Sequence, residues 1–95
     1  PSLIFTGHVD VAPPGSLDLW KYPPFEGRTE DGCLFGRGTA DMKAGLISAF
    51  EVFELFVTSC LDHSKRKSIF TGSFTFLVVS GDLDGALGTL SAIQR

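Results

Sequence analysis

Two apolar strand-like segments lie on either side of one long apolar helix, and this order constrains the fold most strongly. Residues 3–6 and 73–79 are predicted as strands, and residues 42–61 carry the three-to-four-residue spacing of a helix. A hairpin around an Asp-Gly turn is predicted at residues 28–35, and a second helix is predicted to begin at Thr89, its N-cap. Strands that alternate with helices indicate a layered α/β sheet.

The long predicted helix is apolar on most of its surface. Its polar residues form one narrow stripe that comprises Ser48, Glu51, Glu54 and Thr58. We therefore expect a sheet to cover the remaining, apolar surface of the helix. Before the hairpin, residues 11–27 are rich in proline, and we expect a long ordered loop. The aromatic residues expected to anchor it are Trp20, Tyr22 and Phe25.

Charge and cysteine content exclude several classes of protein. The formal net charge is −3, and the only basic cluster, Lys65-Arg66-Lys67, is too short for a nucleic-acid surface, so we assign it to a solvated loop. No stretch has the length and hydropathy of a membrane span. Cys33 and Cys60 lack metal-type spacing, and we expect reduced, semi-buried thiols in a cytoplasmic protein without nucleic-acid or membrane partners.

A histidine and an aspartate follow the first predicted strand. His8 and Asp10 are two residues apart, so both side chains point to the same side of an extended segment. An imidazole that binds a metal through one nitrogen needs an acceptor at the other, and the carboxylate of Asp10 is suited to that. The alternative is a His-Asp pair that closes the strand end by hydrogen bonds alone.

Further carboxylates follow at comparable places. Asp41 comes after Gly36-Arg37-Gly38 at the start of the long helix, where it is either a metal ligand or an ordinary N-cap. Asp82 and Asp84 follow the second apolar strand, where Asp-rich turns are also common. Imidazole and carboxylate groups together suit zinc, which activates water and polarises a carbonyl. The residues therefore indicate a candidate metal-assisted hydrolase.

Several motifs in order resemble the co-catalytic zinc peptidase family, which includes acetylornithine deacetylase, aminoacylase and carboxypeptidase G. They are Gly7-His8-Val9-Asp10-Val11, Pro13-Pro14-Gly15, Pro23-Pro24-Phe25, Leu34-Phe35-Gly36-Arg37-Gly38 and Ala40-Asp41-Met42-Lys43. The resemblance implies a layered α/β/α catalytic domain of which residues 1–95 are an N-terminal fragment, with the family's dimerisation domain absent. It also implies two zinc ions, or cobalt in their place, and a small N-acyl amino acid as substrate. Members of the family are homodimers.

The resemblance also implies roles for individual residues. His8 would bind one zinc ion, Asp10 would be a catalytic residue that orients His8, and Asp84 would bind the second zinc ion. Asp41 would bridge both ions, with the Asp41-Met42 peptide bond in the cis form. The proline motifs favour the desuccinylase branch, which releases succinate from N-succinyl-diaminopimelate in lysine biosynthesis, over the deacetylase and aminoacylase branches. No substrate-binding residue is assigned.

One departure from the family pattern affects the expected activity. The family carries Asp-Glu-Glu after the second strand, with the first Glu as general base, whereas this chain has Asp82-Leu83-Asp84. Leucine cannot accept a proton, and a general base contributes about 10²–10⁴-fold to rate; Asp82 is the alternative base. Two further family ligands come from later sequence. The chain is therefore predicted to be an incomplete part of an amide hydrolase or a non-catalytic relative.

Overall fold

The architecture is a small α/β arrangement in a computed structural model that describes residues 1–61 and 71–94. In chain order, the elements are β1 (Ser2–His8), β2 (Arg28–Glu30), β3 (Cys33–Phe35), α1 (Ala44–Leu61), β4 (Ser73–Val79) and α2 (Leu87–Ile93). A short 3-10 helix, Leu17–Leu19, lies in the proline-rich loop. The basic cluster at residues 65–67 falls outside the described residues.

The two apolar strands pair with each other. β1 and β4 run parallel in a register from Ser2↔Ser73 to His8↔Val79. Parallel neighbours need a long crossover between them, and α1 lies in that connection. The bounds of β4 confirm the predicted strand, while β1 continues two residues further than predicted, to His8. A mixed helix and strand fold is therefore confirmed, as a partial α/β domain.

The hairpin is confirmed at the predicted place. β2 and β3 pair antiparallel, with Glu30 opposite Cys33. The two residues of the turn, Asp31 and Gly32, have φ values of 50° and 75°. Both values lie in the left-handed region that a tight two-residue hairpin requires and that Asp-Gly readily adopts.

Aromatic side chains join α1 to the sheet. Phe53 packs edge-on against Phe74, with ring centroids 4.8 Å apart, and it also contacts Phe76 at 5.7 Å. Phe56 contacts Phe74 at 4.9 Å, and Phe50 contacts Phe76 at 5.6 Å. Edge-to-face pairs at these distances are favourable beyond the apolar area they bury. The helix therefore packs on β4 through a row of phenylalanines.

Several burial predictions were wrong. One face of α1 contacts the sheet, but Ile47, Val52 and Leu55 are each more than half exposed, so the helix is not largely covered. Both cysteines are free and exposed rather than semi-buried. The reason is that the described strands form two separate two-stranded sheets, β1 with β4 and β2 with β3, and such small sheets with little helical cover bury little surface.

The proline-rich loop is anchored by two of its three predicted aromatic residues. The Trp20 indole donates a hydrogen bond to the Pro14 carbonyl at 2.9 Å, and the Tyr22 ring packs edge-on against Phe35. The prediction for Phe25 was wrong, because this residue is 69% exposed. Polar partners and a ring on the hairpin therefore fix the loop, whereas Phe25 lies on its outer side.

The second helix begins two residues before the predicted position. Ala86, with a φ of 61°, precedes its first residue, Leu87, so Thr89 is not the N-cap. The Thr89 hydroxyl instead donates a hydrogen bond to the Asp82 carboxylate at 2.7 Å. Within the described part of the chain, no helix combines the length and hydropathy that crossing a bilayer requires.

Candidate metal centre

The end of β1 is one of the few buried places in the chain. Gly7 and His8 are both buried there, and His8 is 7% exposed. A side chain on Gly7 would lie 2.7 Å from the end of Leu46 and 3.0 Å from Met42, so glycine lets α1 approach the strand closely. The His8 amide donates to the Met42 sulfur at 3.4 Å. Close packing at Gly7 and the hydrogen bond to Met42 therefore fix the backbone that carries the imidazole.

The hydrogen bonds of the His8 ring determine its tautomer. Nδ1 lies 3.0 Å from the Asp10 carbonyl oxygen, which accepts hydrogen bonds but cannot donate them. In the neutral ring Nδ1 therefore carries the proton, and Nε2 is the nitrogen with the lone pair. A ring nitrogen held in this way fixes the orientation of the other one. The hydrogen-bond acceptor is the Asp10 carbonyl, whereas the prediction gave this task to the carboxylate, whose Oδ1 lies 3.5 Å from Nδ1.

Nε2 of His8 faces Asp41. The distance from Nε2 to Asp41 Oδ1 is 3.5 Å, and the Asp41 side chain is 76% exposed. Asp41 lies in an irregular turn, Thr39–Lys43, in which its own φ and ψ are −124° and 101°. The helix α1 begins only at Ala44, so Asp41 does not cap it. The Asp41-Met42 peptide bond is cis, as the resemblance implied.

The Asp10 carboxylate connects the loops that follow the two strands. Its Oδ2 accepts a hydrogen bond from the Leu83 amide at 3.1 Å, and this bond is the main cause that lowers the pKa of Asp10 below its usual value. Its Oδ1 is buried, lies 3.5 Å from His8 Nδ1 and accepts no hydrogen bond. Asp10 therefore ties β1 to the loop after β4 while adding negative charge beside the His8 ring.

The His8–Asp41 pair fits a zinc ion. In the neutral ring with its proton on Nδ1, the Nε2 lone pair and a carboxylate oxygen face each other across 3.5 Å, and a cation between them would bind to both. Two ligands of one tetrahedral zinc ion are about 3.3–3.4 Å apart, given metal–ligand bonds near 2.0–2.1 Å. Imidazole nitrogen and carboxylate oxygen are also the donor types that zinc accepts.

Among the described residues, the other predicted carboxylates do not complete a metal-holding group with this pair. Asp84 is exposed, and across residues 1–61 and 71–94 no three His, Cys, Asp or Glu side chains converge as a metal-holding group. Its assignment as a second metal ligand stays a prediction. The carboxylate of Asp82 accepts the Thr89 hydroxyl, so it is directed toward α2. Leu83 is 44% exposed and contributes only its backbone amide to the site.

Two contacts at the site were not foreseen from the sequence. The Lys43 ammonium donates to the Val9 carbonyl at 2.7 Å, and the Met42 sulfur accepts from the His8 amide. Both residues directly follow Asp41, and that adjacency was the only available signal. Arg37, in the turn before Asp41, stacks its guanidinium over Trp20 at 5.0 Å and donates to the Pro13 carbonyl.

Comparison with known proteins identifies a family and a relative of this chain. The model of peptidase family M20/M25/M40 matches residues 4–72. The chain is 40% identical over 98 residues to a succinyl-diaminopimelate desuccinylase of Dechloromonas aromatica (strain RCB), an alignment that covers 99% of this chain and 24% of that protein. The chain thus spans about a quarter of this relative's length. No solved structure matches significantly. The chain belongs to peptidase family M20/M25/M40.

Proposed function

We propose that this chain provides part of the zinc centre of an amidohydrolase that converts N-succinyl-diaminopimelate into succinate and diaminopimelate, a step of lysine biosynthesis. The observation that carries the proposal is the 3.5 Å separation of His8 Nε2 and Asp41 Oδ1, with Nδ1 bonded to the Asp10 carbonyl. Family membership and the desuccinylase relative support the choice of reaction. Residues 1–95 then form part of a layered α/β/α catalytic domain.

The chain's own residues have separable roles in this proposal. His8 would hold a metal through Nε2, and the Asp10 carbonyl favours the neutral tautomer that leaves this nitrogen available. Asp41, with its exposed carboxylate, would be a shared ligand, and Asp84 would be a ligand of a second ion. Zinc bound there, or cobalt in its place, supplies a lowered pKa for water and polarisation of the amide carbonyl.

A second candidate function is a non-catalytic relative that keeps the fold and a weak metal site. The side chain of Leu83 favours it, because leucine has no group that accepts a proton. The neighbouring carboxylate of Asp82 accepts the Thr89 hydroxyl, a contact that holds it toward α2. The two candidates share the His8–Asp41 pair and differ in turnover.

Zinc titration by calorimetry tests the metal site. We expect the chain to bind one zinc ion weakly. His8→Ala or Asp41→Ala is expected to lower zinc affinity by at least about 10–100-fold, the loss typical when a residue that hydrogen-bonds a metal ligand is removed. Asp18→Ala removes an aspartate from the 3-10 helix and is the control, with no expected effect. Tight binding of two zinc ions would contradict an incomplete centre, and equal affinity in all variants would exclude the pair as ligands.

Turnover separates the two candidate functions. The test uses a chimera in which residues 1–95 take the place of the matching segment of the Dechloromonas aromatica desuccinylase. Its hydrolysis of N-succinyl-diaminopimelate would be measured with zinc present. Since Leu83 lacks a base, we expect a rate about 10²–10⁴-fold below that of the parent enzyme but above the rate without protein. A rate equal to the one without protein would favour the non-catalytic relative.

A further inference from the structure

Lys43 reaches across from the Asp41 turn to the end of β1. Its ammonium donates a hydrogen bond to the Val9 carbonyl at 2.7 Å, although the two residues are 34 positions apart in sequence. Val9 lies between His8, which faces Asp41, and Asp10, whose carbonyl holds the His8 ring. The bond therefore joins the two segments that carry the candidate ligands.

The backbone around Lys43 places its ammonium close to the Val9 carbonyl. The Lys43 amide donates to the Gly38 carbonyl at 2.9 Å, which closes the turn that contains Asp41. Gly38 is buried with a φ of 85°, and a side chain there would lie 3.0 Å from the Lys43 ammonium nitrogen and 2.5 Å from Val11. The ammonium thus occupies space that any residue other than glycine at position 38 would restrict.

We propose that Lys43 is a positioning residue of the metal centre. Its bond to the Val9 carbonyl sets the separation between His8 Nε2 and Asp41 Oδ1, and its side chain does not itself bind the metal. The part of this inference that concerns metal affinity rests on the proposed function. A positive charge close to a cation site weakens binding by Coulomb repulsion, so Lys43 is useful there only if its positional effect is larger.

Because repulsion by the Lys43 charge would weaken zinc binding and correct positioning of the ligands would strengthen it, removing the side chain distinguishes the two effects. Lys43→Met keeps the length of the stem but removes the charge and the donor. If Lys43 positions the ligands, zinc affinity falls by about 10–100-fold, the effect typical of an outer partner of a metal ligand. If the charge alone matters, the affinity rises. Unchanged or higher affinity in Lys43→Met, with its circular dichroism spectrum unchanged, would overturn the proposal.

Two variants control for charge and for folding. Lys21→Met removes the same charge from a lysine that bonds Glu30 at 2.6 Å, and we expect its zinc affinity to match that of the unmodified chain. Lys43→Arg restores a donor at the same position and is expected to recover most of the affinity lost in Lys43→Met. An arginine variant no better than the methionine variant would also overturn the proposal.

A measurement without metal separates this inference from the proposed function. In NMR spectra of the zinc-free chain, Lys43→Met is expected to shift the Val9 carbonyl carbon and the His8 ring signals, whereas Lys21→Met leaves both in place. Unshifted signals in Lys43→Met would refute the positioning role, whatever the zinc result. Failure of the unmodified chain to bind zinc, together with the expected shifts, would refute the metal site while keeping the role of Lys43.

Discussion

Gly38→Ala tests whether close packing at the Asp41 turn holds the site together. Gly38 has a φ of 85°, a region that costs an L-residue about 1–2 kcal/mol. Alanine also restricts the unfolded chain, which returns about 0.4–1 kcal/mol. The added methyl would lie 2.5 Å from Val11 Cγ1, well inside ordinary contact, and overpacking of this kind costs about 1–3 kcal/mol. We therefore expect a loss of about 1–5 kcal/mol in the free energy of unfolding.

A matched substitution isolates the contribution of packing. Gly27 has a φ of 68°, but a side chain there would meet nothing within 4 Å, so Gly27→Ala bears the backbone cost without a clash. The assay is urea unfolding of both variants followed by circular dichroism, at one pH and without metal. The difference between the two losses is the packing contribution at Gly38.

The same variants connect packing to the site. Because the methyl on Gly38 would also lie 3.0 Å from the Lys43 nitrogen, we expect Gly38→Ala to weaken zinc binding about tenfold or more, as loss of an outer partner does. Gly27→Ala is expected to bind zinc like the unmodified chain. Equal unfolding free energies for the two variants would refute the close approach of Gly38 to Val11 and Lys43.

Three further predictions concern the loop after β4 and the helices. The pKa of Asp10 is lowered in the folded chain, so ionised Asp10 stabilises the fold above about pH 4. This stabilisation is lost as the pH falls through the lowered pKa of the folded chain. Asp10→Asn should therefore remove this part of the pH dependence of urea unfolding. Gly88→Ala would place a methyl 2.1 Å from the Ser80 carbonyl oxygen and should destabilise by about 1–3 kcal/mol, whereas Gly45→Ala, with open space in α1, should stabilise by about 0.5–1 kcal/mol. Leu83→Glu in the grafted desuccinylase should raise hydrolysis about 10²–10⁴-fold, and an unchanged rate would show that residue 83 is not at the position of the base.

Local chemistry made the elements of this fold predictable. The apolar run at residues 73–79 is β4, residue for residue, and the Asp31-Gly32 pair forms the hairpin turn because both residues tolerate positive φ. The start of α2 was missed because Thr89 resembles an N-cap in sequence. Its hydroxyl instead bonds the carboxylate of Asp82, a contact that depends on how the loop folds back.

The proximity of two candidate ligands agrees with the sequence analysis, whereas the contacts that support them could not be predicted. The residue types of His8 and Asp41 indicated zinc chemistry, and the structure brings the two side chains together. The supporting contacts join residues far apart in sequence, such as Lys43 with Val9 and Asp10 with Leu83. A periodic pattern carries no information about such contacts, because they depend on the way separate loops meet at the ends of paired strands.

The most direct test of the central claim is ¹⁵N NMR of the His8 ring during titration with zinc, in a His63→Gln chain that leaves one histidine to observe. If zinc binds between His8 and Asp41, Nδ1 remains protonated throughout, the Nε2 signal shifts on metal binding, and Asp41→Asn weakens the apparent affinity. A His8 ring whose signals do not respond to zinc, or one that binds the metal through Nδ1, would contradict this binding mode.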